Sequence, residues 1–174
     1  MATNKIRIVG LDPGETTGWA LIEANGAGIV YVLDYGVIAA AGAPPSEGDV
    51  LTTTRRELGA ILDVMKADGV TRIALEAPAY NRKFDGFAGE VRGVCKEAVA
   101  AAGLTWRLVV QNTAKAAVGV KIARRKKGEP RPARNAAKEA VKNAVEARFG
   151  LADLSYHEAD AVACAVALAA EGKL

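Results

Sequence analysis

Three apolar segments open the chain with only turn-length connections between them, and this spacing limits the fold more than anything that follows. Residues 6–11, 17–24 and 29–39 are rich in Ile, Val, Leu and Tyr, and they are joined by Asp12-Pro-Gly-Glu and Asn25-Gly-Ala-Gly. Parallel strands need a crossover of a dozen or more residues, so connections this short make the three strands antiparallel neighbours. Beyond them the period changes. Ala41–Asp49, with Gly42, Pro44, Pro45 and Gly48, reads as a loop, and Leu51, Leu58, Ile61, Leu62 and Met65 then recur at helical spacing through 51–67. A strand at 71–76, a helix around 86–102 stopped by Gly103, and a strand at 104–110 follow. Two helices near 135–149 and 157–170 close the chain. The expected architecture is α/β: a mixed five-stranded sheet of three antiparallel strands then βαβ units, flanked by helices.

A chain of 174 residues fits one domain, 1–174, and one this long buries roughly 70% of its unfolded surface without disulfides or a structural metal. Cys95 and Cys164, both in apolar helical surroundings, form no framework and suit a reducing compartment. No apolar run reaches the roughly 18 residues that span a bilayer, and the N-terminus has no secretory pattern. The expectation is a cytoplasmic protein with no membrane partner. The net charge of +3 is unevenly spread. Residues 111–142 hold ten Lys and Arg against Glu129 and Glu139, a balance of +8 that leaves −5 for the rest. Most of these bases fall in 119–134, where Gly128, Pro130 and Pro132 argue for a flexible basic loop. A concentrated basic segment beside an acidic body points to a polyanion, although a solvated lysine-rich loop has the same composition.

Three acids sit where apolar elements rarely carry them. Asp12 ends the first strand and Glu76 the fourth, while Asp160 interrupts the apolar helix Ala159–Leu168. Carboxylates are seldom buried unless paired or bound to metal, because desolvating an ion is costly. Sites in such sheets gather beyond the carboxyl ends of the strands, and strands about 4.8 Å apart let two carboxylates reach one cation. His157 lies three residues before Asp160 and shares its helical face, whereas Glu158 points about 100° away from His157. Each residue alone has a plainer role. Asp12 before Pro-Gly suits a turn cap, Glu76 has Arg72 and Arg82 nearby in sequence, and His157 near a helix start suits a cap. Together they suit Mg²⁺, which takes oxygen ligands, and two such ions about 4 Å apart serve in-line phosphoryl displacement. The imidazole of His157 also admits Mn²⁺.

The segment Gly10-Leu-Asp-Pro-Gly-Glu-Thr-Thr-Gly-Trp-Ala-Leu-Ile22 resembles the opening strand-turn-strand of the RuvC family of Holliday-junction resolvases, within the ribonuclease H-like superfamily. Ala74-Leu-Glu-Ala-Pro78 is similar to the family's second motif, Gly89-Glu-Val-Arg-Gly-Val94 to its following helix, and His157-Glu-Ala-Asp-Ala161 to its last motif. The likeness runs from about residue 6 to 170 in family order. It implies a ribonuclease H-like fold and a crossover junction endodeoxyribonuclease, a homodimer that resolves four-way DNA junctions by paired phosphodiester hydrolysis. By the same resemblance Asp12, Glu76, His157 and Asp160 are catalytic metal ligands. Lys115 and Lys138 fall where the family has lysines serving DNA binding and catalysis. The helix after Glu76, with Gly86, Gly89 and Gly93, would carry the dimer contact. A bacterium, or a phage within its host's cytoplasm, is the implied setting.

Two stretches depart from the family pattern. Lys121-Ile-Ala-Arg-Arg-Lys-Lys-Gly-Glu-Pro-Arg-Pro-Ala133 is longer and more basic than the family's usual connection. Its Lys121, Arg124, Arg125, Lys126, Lys127 and Arg131, with Arg134, are expected to grip DNA phosphates. In the loop after Glu76, Arg82 and Lys83 are further candidates, and Tyr80 or Phe84 stands where the family places an aromatic at the junction centre. The motifs also suit a ribonuclease H-like nuclease of broader range, acting on forks, flaps or RNA, because substrate choice lies in loops and dimer geometry. Asp-Pro-Gly-Glu-Thr-Thr-Gly resembles a phosphate loop of actin-like ATPases too, but those need a second domain for which there is no room. A non-catalytic binding module would need a broken acidic set, and this one is complete.

Overall fold

The sheet is built outward from its first strand. A computed structural model describes residues 5–41, 45–78, 86–121 and 134–171. Strand β1 (Lys5–Asp12) pairs antiparallel with β2 (Thr16–Asn25), which pairs antiparallel with β3 (Val30–Ala39). On its other side β1 runs parallel to β4 (Val70–Glu76), and β4 parallel to β5 (Thr105–Val109), giving the order β3-β2-β1-β4-β5. The expected mixed sheet, three antiparallel strands followed by parallel ones, is what forms.

Alternation along the strands divides the interior into two cores. On one face Ile8, Ala20, Ile22, Ala74 and Val109 meet α5 (Tyr156–Glu171), which is covered from outside by α3 (Gln111–Ala117) and α4 (Arg134–Phe149). On the other, Val9, Leu11, Leu21, Ile73 and Leu75 pack on α1 (Glu47–Ala67) and α2 (Gly86–Ala101). Every residue from Ala159 to Ala169 is buried, so α5 is enclosed on all sides. Its alanine-rich sequence allows an unusually close seat. A Cβ on Gly10 would overlap the Ala161 carbonyl, and one on Gly18 would overlap the His157 carbonyl. Two glycines in adjacent strands are therefore what let the helix lie directly on the sheet.

The structure corrects three sequence expectations. Helix α1 starts at Glu47, inside the segment read as a loop, because Ser46 caps it: its hydroxyl accepts the Asp49 N–H, and the Asp49 carboxylate accepts the Ser46 N–H, each at 3.2 Å. Residues 111–117 form α3, which periodicity did not announce; Val110 at its N-cap makes no side-chain cap. Arg134, placed at the end of the basic loop, begins α4. Arg124, Arg125, Lys126, Lys127 and Arg131 lie outside the described residues, as do Tyr80, Arg82, Lys83 and Phe84. Among the described residues no helix is long and apolar enough to cross a membrane.

Candidate metal centre

Register brings the two strand-end acids together. Gly10 of β1 pairs with Ala74 of β4 and Leu11 with Leu75, so Asp12 and Glu76 come next on adjacent strands, both facing α5. Asp12 lies opposite Gly18 in β2, the glycine on which the first turn of α5 rests. The bare position seats His157 over Asp12, with its Nδ1 2.8 Å from Asp12 Oδ2. Asp160, one turn further along, is buried on the same helix. The turn between β1 and β2 is fixed by Thr17, a fully buried residue whose hydroxyl donates to the Gly14 carbonyl at 3.2 Å.

The start of α5 is itself pinned. Ser155 Oγ accepts the Glu158 N–H at 3.2 Å, and the Glu158 carboxylate accepts the Ser155 N–H at 2.6 Å. This capping box is legible in Ser155-Tyr-His-Glu158. It gives Glu158 a structural partner away from the acids, in keeping with its helical angle.

The charge states follow from crowding. Burial works against ionising Asp12, yet hydrogen bonds from His157 and Glu76, with the charges of His157 and Lys138, hold its carboxyl below the ordinary range. Glu76 takes the opposite course. Burial, its hydrogen bond to Asp12, and repulsion from Asp12 and Asp160 push its carboxyl up to about 9, against a hydrogen bond from Gln111. Asp160 is pushed up to about 6 by burial and Asp12, against Lys138, Lys115 and His157. At neutral pH the proton between Asp12 and Glu76 thus resides on Glu76, as two touching carboxyls require. Lys138 approaches the ring of Tyr156, with Nζ 5.8 Å from its centroid, while the Tyr156 hydroxyl donates to Glu139 at 2.7 Å.

The four expected ligands are therefore gathered at one place, with Lys115 and Lys138 close enough to act on their charges. Asp12 hydrogen-bonds both His157 and Glu76, whereas Asp160 acts on the group through its charge. Among the described residues no three His, Cys, Asp or Glu side chains surround a common point as a metal would need them. Lys121 is exposed where the described residues break off after α3. Sequence reasoning missed Gln111, which reaches Glu76 from the first turn of α3, and Arg92, buried on α2, whose Nε donates to the Glu76 backbone carbonyl at 2.9 Å. Nothing in the sequence marked Gln111. Arg92 lay within a quoted motif, and an arginine on a buried helical face was its signal.

These features define a ribonuclease H-like α/β domain with an acidic centre at the carboxyl ends of its parallel strands. The chain is 35% identical over 108 residues to the crossover junction endodeoxyribonuclease RuvC of Azorhizobium caulinodans, a match spanning 60% of this chain and 61% of that protein. The structure superposes on Thermus thermophilus RuvC with a TM-score of 0.68 at 20% identity, covering 93% of this chain and 92% of the other. The same protein in complex with a Holliday junction substrate gives 0.67 at 20% identity over the same shares. No protein-family model matches the chain.

Proposed function

We propose that the chain is a divalent-metal-dependent endonuclease that resolves four-way DNA junctions by hydrolysing a phosphodiester in each of two opposed strands. One observation carries the reading: Asp12, Glu76, His157 and Asp160 converge where β1, β4 and the first turn of α5 meet, beside Lys115 and Lys138. The fold shared with RuvC structures, one of them holding a junction substrate, supports the choice of branched DNA.

The donor set fits hard divalent cations. Three carboxyls and one imidazole supply oxygen-rich ligation, and the proton held on Glu76 stands where a cation's charge would replace it. Asp12, Glu76, His157 and Asp160 would hold Mg²⁺, two ions by our reading, with Mn²⁺ as a substitute. Bound there, the ions would supply an activated water and charge stabilisation for the leaving oxygen. The chain's own groups do the rest. To receive a cation Glu76 gives up its proton and His157 turns from Asp12. Lys138 and Lys115 offer positive charge to the phosphate, while Lys121, Arg134 and the bases of 122–133 bind phosphates further along the arms.

A homodimer would place two such centres on opposed strands. Trp106 and Leu108 of β5 lie on the α2 face and are partly exposed, and a Cβ on Gly93 of α2 would meet open space. That apolar, uncrowded face supports α2 as the dimer contact.

The test offers labelled four-way junction, fork, flap, linear duplex and RNA–DNA hybrid to the wild type and to Asp160→Asn, with and without Mg²⁺ or Mn²⁺. Paired symmetrical nicks confined to the junction, absent without metal and in the variant, are expected. Equal cutting of forks and flaps would transfer the chain to the broader nuclease class, and cutting in chelator would sink the metal centre.

A further inference from the structure

Arg92 approaches the acidic centre from the side of the sheet opposite α5. It sits on α2 among Val91, Val94, Cys95, Ala98 and Val99, all buried, and is itself only 7% exposed. A guanidinium so placed is costly to desolvate and calls for an electrostatic reason. Its Nε donates to the backbone carbonyl of Glu76, the last residue of β4, at 2.9 Å. The next peptide is held from β5, where the Val109 carbonyl accepts the Ala77 N–H at 2.8 Å. The strand end that carries Glu76 is thus fixed on two sides, just where β4 leaves the sheet. The positive charge of Arg92 also lies within electrostatic reach of the Glu76 and Asp12 carboxyls. Lys115 and Lys138 act on the cluster from α3 and α4. Among the described residues Arg92 does so from α2, on the other side of the sheet.

We infer that Arg92 is a positioning residue of the metal centre: its guanidinium fixes the backbone from which Glu76 projects, and so the direction in which that carboxyl is presented to a cation. The inference rests on the proposed function. Arg92 acts through the Glu76 backbone, as outer-sphere partners of metal ligands commonly do. Lysine at this position keeps the charge but loses the planar guanidinium that holds the Glu76 carbonyl, and glutamine loses the guanidinium and the charge.

The experiment uses the full chain and two variants, Arg92→Lys and Arg92→Gln. Affinity for Mn²⁺ is measured by calorimetry and by the rise in melting temperature it causes. Junction binding is measured separately in chelator. The expected result is Mn²⁺ affinity weakened by about 10- to 100-fold in Arg92→Gln and less in Arg92→Lys, with junction binding in chelator within twofold of wild type. A lower melting temperature with Mn²⁺ affinity unchanged would show a merely structural arginine and overturn the inference. So would parallel loss of metal and junction binding. Should Arg92→Gln fail to fold, Arg92→Lys decides by the same readings. A wild type that binds no Mn²⁺ overturns the metal centre itself, and that outcome is seen before any variant is compared.

Discussion

Replacing Glu76 by glutamine should make the metal-free protein more stable while removing the proposed nuclease activity. In the fold the Glu76 carboxyl is pushed from an ordinary 4.5 up to about 9 by burial and by Asp12 and Asp160, so it stays protonated at neutral pH. In the unfolded chain the same group is ionised. The sign follows from linkage: a raised folded value contributes nothing adverse below about pH 4.5, and stability is lost as pH climbs from there toward 9. Each pH unit in that window costs about 1.4 kcal/mol, so the accumulated loss at pH 7 is about 3 kcal/mol. Glutamine has no proton to lose, and its amide can still donate to Asp12. For a chain of this length about 3 kcal/mol corresponds to roughly 6–12 °C in melting temperature. The assay is urea or thermal unfolding of both proteins in chelator at pH 5, 7 and 8.5. The gap should be small at pH 5 and widen steadily with pH. A gap independent of pH, or a glutamine variant less stable at pH 7, would refute the reasoning. In saturating Mg²⁺ the gap should close, because wild-type Glu76 then has a cation in place of its proton.

Two further outcomes follow from the same geometry. Cation binding should release protons from Glu76 and Asp160, whose carboxyls are pushed up to about 9 and about 6. Calorimetry in buffers of different ionisation enthalpy should therefore show proton release, and affinity for Mg²⁺ should rise between pH 6 and 9. Gly18→Ala places a methyl group against the His157 carbonyl. It should cost about 1–3 kcal/mol in urea unfolding and abolish cleavage, whereas an alanine at Gly93, whose Cβ would meet nothing within 4 Å, should leave the monomer's stability nearly unchanged.

Legibility in the sequence varied from element to element for identifiable reasons. The five strands and four longer helices were readable because each carries a full apolar period; Asp12, Glu76 and Asp160 stood out as acids at or within apolar elements, and His157 by sharing the helical face of Asp160. Helix α3 was not, since seven residues without a side-chain cap offer too little pattern. The start of α1 was hidden by neighbouring prolines, although Ser46 and Asp49 spelled its capping box. Gln111 and Arg92 escaped for another reason: each meets Glu76 only through tertiary packing, one from the start of α3 and one from α2 on the opposite face of the sheet.

By itself the sequence determined the strand and helix types, the antiparallel opening and the acids at the element ends. These are local matters, settled by side-chain period and connection length. Tertiary structure alone decided that β4 inserts beside β1, that Gly10 and Gly18 seat α5 directly on the sheet, and that four carboxyl and imidazole groups consequently share one site. It also decided which of them holds the proton, because burial and mutual repulsion exist only once the chain has brought these groups together.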